Sequence, residues 1–441
     1  MSYFDDYNES RTKIPYDDIP ITRNEKAQRS YSGSGRVVAR MSKFSTIAVS
    51  FLVILNIVLS IVCVYFIRNT KNRTINNYVI EMGASSEVSA AVKNTSLLSS
   101  ICVAAGGACN SESTFYSSTL SRGSGVIYSV KNSDVENRGT VYFATCYHVV
   151  SGHDKIWIMM PSNLKPIAVS LLAYSSHYDI AVLKYETNDI EGFLGSCTPI
   201  SVFDSVYVSF GEKVFAIGNS LGSGLSITDG LISQVNAQIR IASNSYTTRT
   251  LQTSAEINPG NSGGGLFNAS GKFIGLVNAK RHTATSGSET ITVVGTSYAI
   301  PSSVVCGVVN KLIAGNKKPT RVNLGVTFGN YASSGKTIEL VEYDGQYRPI
   351  DKYSVVVESI TPGSAAYRTT LRKGDIIESI EFYVEGSDLP RRVKMYNQYV
   401  FDDYAFSIKE GSDIKVYIED GNDTSTTYVT INASSLITDS D

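Results

Sequence analysis

Three short strings carry the residue types that nucleophilic hydrolysis needs: Thr145-Cys-Tyr-His148-Val-Val, His177-Tyr-Asp179-Ile-Ala-Val-Leu and Asn258-Pro-Gly-Asn-Ser262-Gly-Gly-Gly. A serine hydroxyl attacks a carbonyl only when a histidine takes its proton. The histidine serves only when a buried carboxylate fixes its tautomer and stabilises its charged form. His148, Asp179 and Ser262 are therefore the candidate catalytic triad. The oxyanion created by such an attack needs backbone N–H groups in a tight turn free of Cβ atoms, and the donors assigned are those of Gly260 and Ser262. Each string alone has a plainer reading: a satisfied core histidine, an Asx turn at a strand start, a flexible glycine-rich turn. Occurring together in the chain order His, Asp, Ser, they read as one site. His153, His177 and His282 are left to surface or packing roles.

Side chains so far apart in sequence converge only if strands close around a cleft. Short β-branched and aromatic runs occur at Ser124 to Val130, Thr140 to Cys146, Lys155 to Met160, Asp179 to Tyr185, Lys213 to Ile217, Thr248 to Thr253, Lys272 to Asn278 and Ile291 to Ala299, punctuated by Gly, Asn and Ser. Many short strands with such turns predict closed barrels or a sandwich, because closure removes exposed sheet edges. One helix is predicted from Ser302 to Ala314, begun at Pro301 and ended by Gly315. Asn316 to Thr320 reads as a linker, after which the pattern restarts as a smaller independent module.

The 441 residues suggest two or three domains, and 35 Gly with 18% charged residues suit a strand-rich globular protein. With 39 basic and 40 acidic residues the net charge is -1, which gives no field to attract nucleic acid. The spacing of Cys63, Cys102, Cys109, Cys146, Cys197 and Cys306 fits neither a zinc ribbon nor a dense disulfide framework. No metal or cofactor is expected, and the cysteines read mostly as buried free thiols, with a small Cys102 to Cys109 loop left open.

Phe44 to Ile67 carry no charge and lie between Lys43 and Arg68. At ~1.5 Å per residue a helix of that length reaches about 36 Å, enough to cross a bilayer. The polar residues 1–43 before it and the absence of a small-x-small cleavage site favour a retained anchor over a signal peptide. The excess of Arg and Lys before the span places residues 1–43, a disordered tail, in the cytoplasm and the catalytic part outside. The expected organisation is thus 1–43 tail, 44–67 transmembrane helix, 68–95 stalk, 96–315 catalytic domain, 316–320 linker and 321–435 C-terminal module.

These strings, with Gly211-Glu-Lys-Val-Phe-Ala-Ile-Gly-Asn219, Leu251-Gln-Thr253 and Ile257-Asn-Pro259 before Gly-Asn-Ser-Gly-Gly, resemble the HtrA (Deg) family of trypsin-like serine proteases over about residues 95–435. The order His, Asp, Ser is that of chymotrypsin-like barrels, whereas a Gly-x-Ser-x-Gly esterase elbow places its histidine after the serine. The resemblance implies a mostly β fold, a chymotrypsin-like double β-barrel followed by a PDZ domain. It also implies a triad at His148, Asp179 and Ser262, a homotrimer, and unfolded or misfolded proteins as substrates. In the C-terminal module, Asn323-Leu-Gly-Val326 resembles a PDZ carboxylate-binding loop. Successive N–H groups of Leu324, Gly325 and Val326 would hold a peptide C-terminus while the peptide adds as a strand. A binding or chaperone-like protein with little proteolysis is the alternative function.

Two departures stand out. Glu256 occupies the expected floor of the primary specificity pocket, where the family usually has a small apolar residue. Pointing inward it would favour Lys or Arg; pointing outward it leaves a small aliphatic preference. The connection Phe382 to Val400 is also longer and more charged than usual. No cleavable activation peptide is recognised, so control by ordering of the loops Ser220 to Asp229 and Asn258 to Gly260 is expected.

Overall fold

The computed structural model describes residues 91–240, 247–280, 283–286, 289–292, 296–316, 318–331, 335–419, 427–434 and 436–438. The tail at 1–43, the span at 44–67, most of the 68–95 stalk and His282 lie outside the described residues. Among the described residues no helix is long and apolar enough to cross a membrane.

Strands β1 (Ser100–Ala105), β2 (Ser121–Asn132), β3 (Gly139–Cys146), β4 (Ile156–Met160), β5 (Asn163–Ser175) and β6 (Ile180–Thr187) close into a barrel in the order β1-β2-β3-β6-β5-β4. Strands β7 (Lys213–Gly218), β8 (Ser226–Arg240), β9 (Thr247–Thr253), β10 (Gly265–Asn268) and β11 (Phe273–Lys280) form a second closed barrel. It is completed by β14 (Ser297–Pro301), with the hairpin β12 (Thr283–Ser286) and β13 (Glu289–Thr292) inserted before it. Closure leaves no free strand edge in either sheet, and Ile101, Val126, Phe143 and Val182 of the first barrel are fully buried. The double β-barrel expected from the sequence is therefore present.

The helix Ser302–Ile313 starts after Pro301 and is followed by Gly315 at φ 94°, where a Cβ would be strained. Its Val304, Val305, Val308, Val309 and Leu312 are buried in the main core. That spacing is the one-sided stripe of a helix laid on a sheet.

Differences from the sequence reading have local causes. The predicted strand at Asp179 begins one residue later, because Asp179 itself takes φ 53°, a left-handed conformation that Asp tolerates better than most residues. β1, β5, β8, β10 and β12 were not predicted, and the single run expected at Ile291 to Ala299 falls on the end of β13 and the start of β14; β5 alternates half-buried with exposed residues and contains Pro166, which blurs its strand pattern. The folded part already includes Val92, which is fully buried, and Ser96 Oγ donates to Gly271 O at 2.9 Å. The end of the expected stalk is thus packed into the catalytic domain. At the linker, Thr320 already belongs to β15 (Thr320–Val322).

The C-terminal part contains a sheet in the order β16 (Val326–Asn330), β19 (Val355–Ile360), β20 (Ile376–Tyr383), β22 (Asp413–Ile418) and β23 (Thr427–Asn432). β17 (Thr337–Tyr343) pairs with β18 (Gln346–Lys352), β21 (Pro390–Lys394) pairs with β20, and β15 pairs with β24 (Leu436–Thr438). The long charged connection Phe382 to Val400 therefore comprises the β20–β21 turn, β21 itself and the segment leading to the helix Val400–Tyr404. The C-terminal part has a hydrophobic core of its own and also touches the barrels. Phe406 lies in the main core with its ring 4.9 Å from that of Tyr178, and Val206 lies in the C-terminal core.

Candidate active site

β3 ends at Cys146 and the chain turns at once into the short helix Tyr147–Val150, which puts His148 at the mouth of the first barrel. The turn is fixed by Asp179 from the start of β6. Its main-chain oxygen accepts from Tyr147 N at 3.0 Å, its Oδ1 accepts from His148 N at 2.8 Å, and its Oδ2 pairs with His148 Nδ1 at 2.6 Å. The Asp179 side chain is 5% exposed and that of His148 51% exposed. A carboxylate held behind an imidazole in this way fixes the tautomer that leaves Nε2 as the basic nitrogen.

Ser262 comes from the second barrel, in the turn ahead of β10. Its Oγ donates to Asn278 O at 3.1 Å, while Asn278 Nδ2 donates to Asp179 Oδ2 at 2.7 Å. Asn278 therefore ties Ser262 to the Asp179–His148 pair, although the serine hydroxyl faces Asn278 and not His148. Nucleophile–base contacts are commonly loose before substrate binds.

Gly260 has φ 100°, and a Cβ there would overlap Asn219 O. Leu221 N donates to Pro259 O at 2.7 Å, which joins the two loops expected to be ordered together. In a trans peptide C=O and N–H point in opposite directions, so the bond from Leu221 turns the Gly260 N–H away from that loop. Asn261 N donates to Asn258 O at 3.0 Å, whereas the N–H groups of Gly260 and Ser262 donate to nothing among the described residues. These are the two donors assigned to the oxyanion. A Cβ at Gly263 would overlap Ser124 O and Thr145 Oγ1, so the glycine run lets the two barrels approach closely.

Glu256 is exposed and forms no ion pair among the described residues, while its neighbours Ala255 and Ile257 are buried. It is therefore not the buried carboxylate that the inward arrangement would make it. In the C-terminal loop, Leu324 is buried and Gly325 has φ 72°. Gly325 N donates to Asn323 Oδ1 at 2.9 Å, so this donor is occupied internally and is not free for a carboxylate as the sequence led us to expect. Val326 opens β16, the edge strand of its sheet.

Sequence reasoning missed Asn278, Ser124 and Cys146. Ligand atoms of Cys146, His148 and Asp179 lie within 4.8 Å of one another. Burial, then the nearby Asp179, pushes the Cys146 thiol well above its ordinary range; it donates to Val277 O at 3.4 Å. It thus behaves as a packed, protonated thiol. Cys102, Cys109, Cys197 and Cys306 are also free, and Cys102 and Cys109 share a small buried cluster without bonding.

Residues 123–276 match the trypsin-like peptidase domain family. Serine protease Do-like HtrA of Lactococcus lactis subsp. lactis is 32% identical over 269 residues, 59% of this chain and 60% of that protein. Serine protease Do-like HtrA of Lactobacillus helveticus is 31% identical over 272 residues, 60% of this chain and 59% of that one. Serine protease HtrA-like of Staphylococcus aureus is 31% identical over 275 residues, 60% of this chain and 33% of that protein. The chain thus spans about three fifths of the length of the first two relatives. The stretch that carries His148, Asp179 and Ser262 thus matches the trypsin-like peptidase domain family, and over it the chain is a homologue of the HtrA serine proteases.

Proposed function

We propose that this chain is a serine endopeptidase that hydrolyses peptide bonds of unfolded or misfolded proteins outside the cytoplasm, a quality-control activity. The observation that carries the proposal is the bonding of buried Asp179 to His148 through both carboxylate oxygens, with Asn278 joining that pair to Ser262. In this reading His148 Nε2 takes the proton of Ser262 Oγ as the oxygen attacks the scissile carbonyl. Asp179 steadies the imidazolium that forms, and His148 then passes the proton to the leaving amine. The N–H groups of Gly260 and Ser262 receive the oxyanion. No cofactor is needed for these steps.

The same proposal includes a single membrane span at 44–67 with the amino terminus cytoplasmic, a homotrimer, and a PDZ-like role for the C-terminal part. Capture of peptide C-termini there would use edge strand β16 and the Leu324 to Val326 loop, with Gly325 N–H first released from Asn323. The exposed position of Glu256 supports a small aliphatic preference over a basic one. One observation favours the alternative, a binding protein with little proteolysis: the Ser262 hydroxyl is bonded to Asn278 O. Hydrolysis of unfolded casein by residues 70–441 decides between them. The endopeptidase reading expects cleavage that disappears in Ser262→Ala, and equal rates in the two proteins would support the binder.

A further inference from the structure

Ser124 is fully buried in β2 of the first barrel, yet most of its polar groups are spent on the second barrel. Its N–H donates to Ser262 O at 2.9 Å, its Oγ donates to Gly260 O at 2.6 Å, and the same Oγ accepts from Asn219 N at 2.7 Å. Its own carbonyl is fixed by Thr145 Oγ1 at 2.6 Å, two residues after Phe143 on β3. Glycines lie close around it: a Cβ at Gly218 would lie 2.7 Å from Ser124 Oγ, and one at Gly264 3.2 Å from Ser124 Cβ.

Ser124 thus holds the carbonyls of both residues whose N–H groups are assigned to the oxyanion. A main-chain carbonyl left free to swing into that position would repel the developing negative charge, and its peptide partner N–H would rotate with it. With Gly260 O and Ser262 O drawn onto β2, Asn261 N–H turns to Asn258 O and Gly263 N–H to Val277 O. Gly260 N–H and Ser262 N–H remain without an internal acceptor among the described residues.

We propose that Ser124 is a positioning residue for hydrolysis, clamping the oxyanion-binding turn open from the opposite barrel. The inference rests on the endopeptidase reading above. An oxyanion exists only in the tetrahedral state, so loss of the clamp weakens that state and leaves ground-state binding largely intact.

The test compares wild type with Ser124→Ala on a peptide taken from a cleaved casein site, together with its peptide aldehyde and peptide alcohol as inhibitors. Ser262 Oγ adds to the aldehyde carbon as its proton passes to His148, giving a hemiacetal whose former carbonyl oxygen takes the oxyanion's place, whereas the alcohol forms no such adduct. The expected result for Ser124→Ala is a kcat lower by about 10- to 100-fold with KM within about twofold, since losing a whole oxyanion donor removes more. Aldehyde affinity falls by a similar factor and alcohol affinity is kept. Ser124→Cys, which retains a weak donor in the same place, should fall between the two and serves if the alanine variant does not fold. Equal losses for aldehyde and alcohol, or no selective loss for the aldehyde, would overturn the assignment of Ser124 alone. A wild type that neither cleaves the peptide nor binds the aldehyde would overturn the endopeptidase reading and this inference with it.

Discussion

Asp179 Oδ2 accepts from His148 Nδ1 at 2.6 Å and from Asn278 Nδ2 at 2.7 Å, while Oδ1 accepts from His148 N at 2.8 Å. A carboxylate held from several sides keeps its orientation as the neighbouring imidazole gains charge, and hydrogen bonds to charged groups contribute about 1.5–3 kcal/mol. Asn278→Ala should therefore lower kcat by about 10- to 100-fold. KM on a peptide substrate should change little, and a steady-state comparison at one pH checks this. His148, Asp179 and Ser262 were legible because each lies in a local string whose residue types fit one chemistry. Asn278 and Ser124 were not legible in the same way. Asn278 closes the ordinary apolar run Lys272 to Asn278 and Ser124 sits between Gly123 and Gly125, and their roles arise only where the two barrels meet. The exposure of Glu256 was likewise open in the sequence, since it lies past the end of β9, where no strand alternation tells which side chains face the core.

β9 runs directly into the segment that carries Pro259, Gly260 and Ser262, and at its start Arg249 is buried against the C-terminal part. Its guanidinium bonds Asp403 of the helix Val400–Tyr404, and its Nε donates to Val235 O and Asn236 Oδ1, each at 2.9 Å. Removing one partner of a buried pair leaves the other charge stranded, and arginine does not escape by deprotonating. Above about pH 7, where Asp403 carries its charge, Asp403→Ala should destabilise the protein by about 3–5 kcal/mol in denaturant unfolding. Burial pushes the Asp403 carboxyl up from 3.8 to about 7, against the pull of Arg249. Between those values the folded protein holds a proton that the unfolded chain has lost, so this group's contribution to stability is present below about pH 4 and is lost as pH rises through about 7. Asp403→Asn should flatten that part of the stability–pH profile. At this scale most barrel strands and the helix after Pro301 were readable from their apolar patterns. The β17–β18 hairpin was not, because its outward residues Ile338, Leu340 and Tyr347 are exposed apolar side chains that obscure the usual alternation.

At the scale of the folded part, the two barrels and the C-terminal part share more than a linker. Tyr207 stacks on Tyr343 at 4.0 Å, Arg348 pairs with Glu212 at 2.8 Å, and Lys272 pairs with Asp344 at 2.6 Å. Phe406 reaches the ring of Tyr178, the residue before Asp179. The sequence suggested a separate module because Asn316 to Thr320 has linker composition, and composition says nothing about the contacts that residues on either side make later. What the whole arrangement must deliver is a single activated hydroxyl. The most direct measurement is reaction of the folded protein with a fluorophosphonate, followed by locating the modified residue by mass spectrometry. The account predicts one label, on Ser262, that is lost in His148→Ala. A label confined to another residue, or none on protein that still cleaves casein, would contradict it.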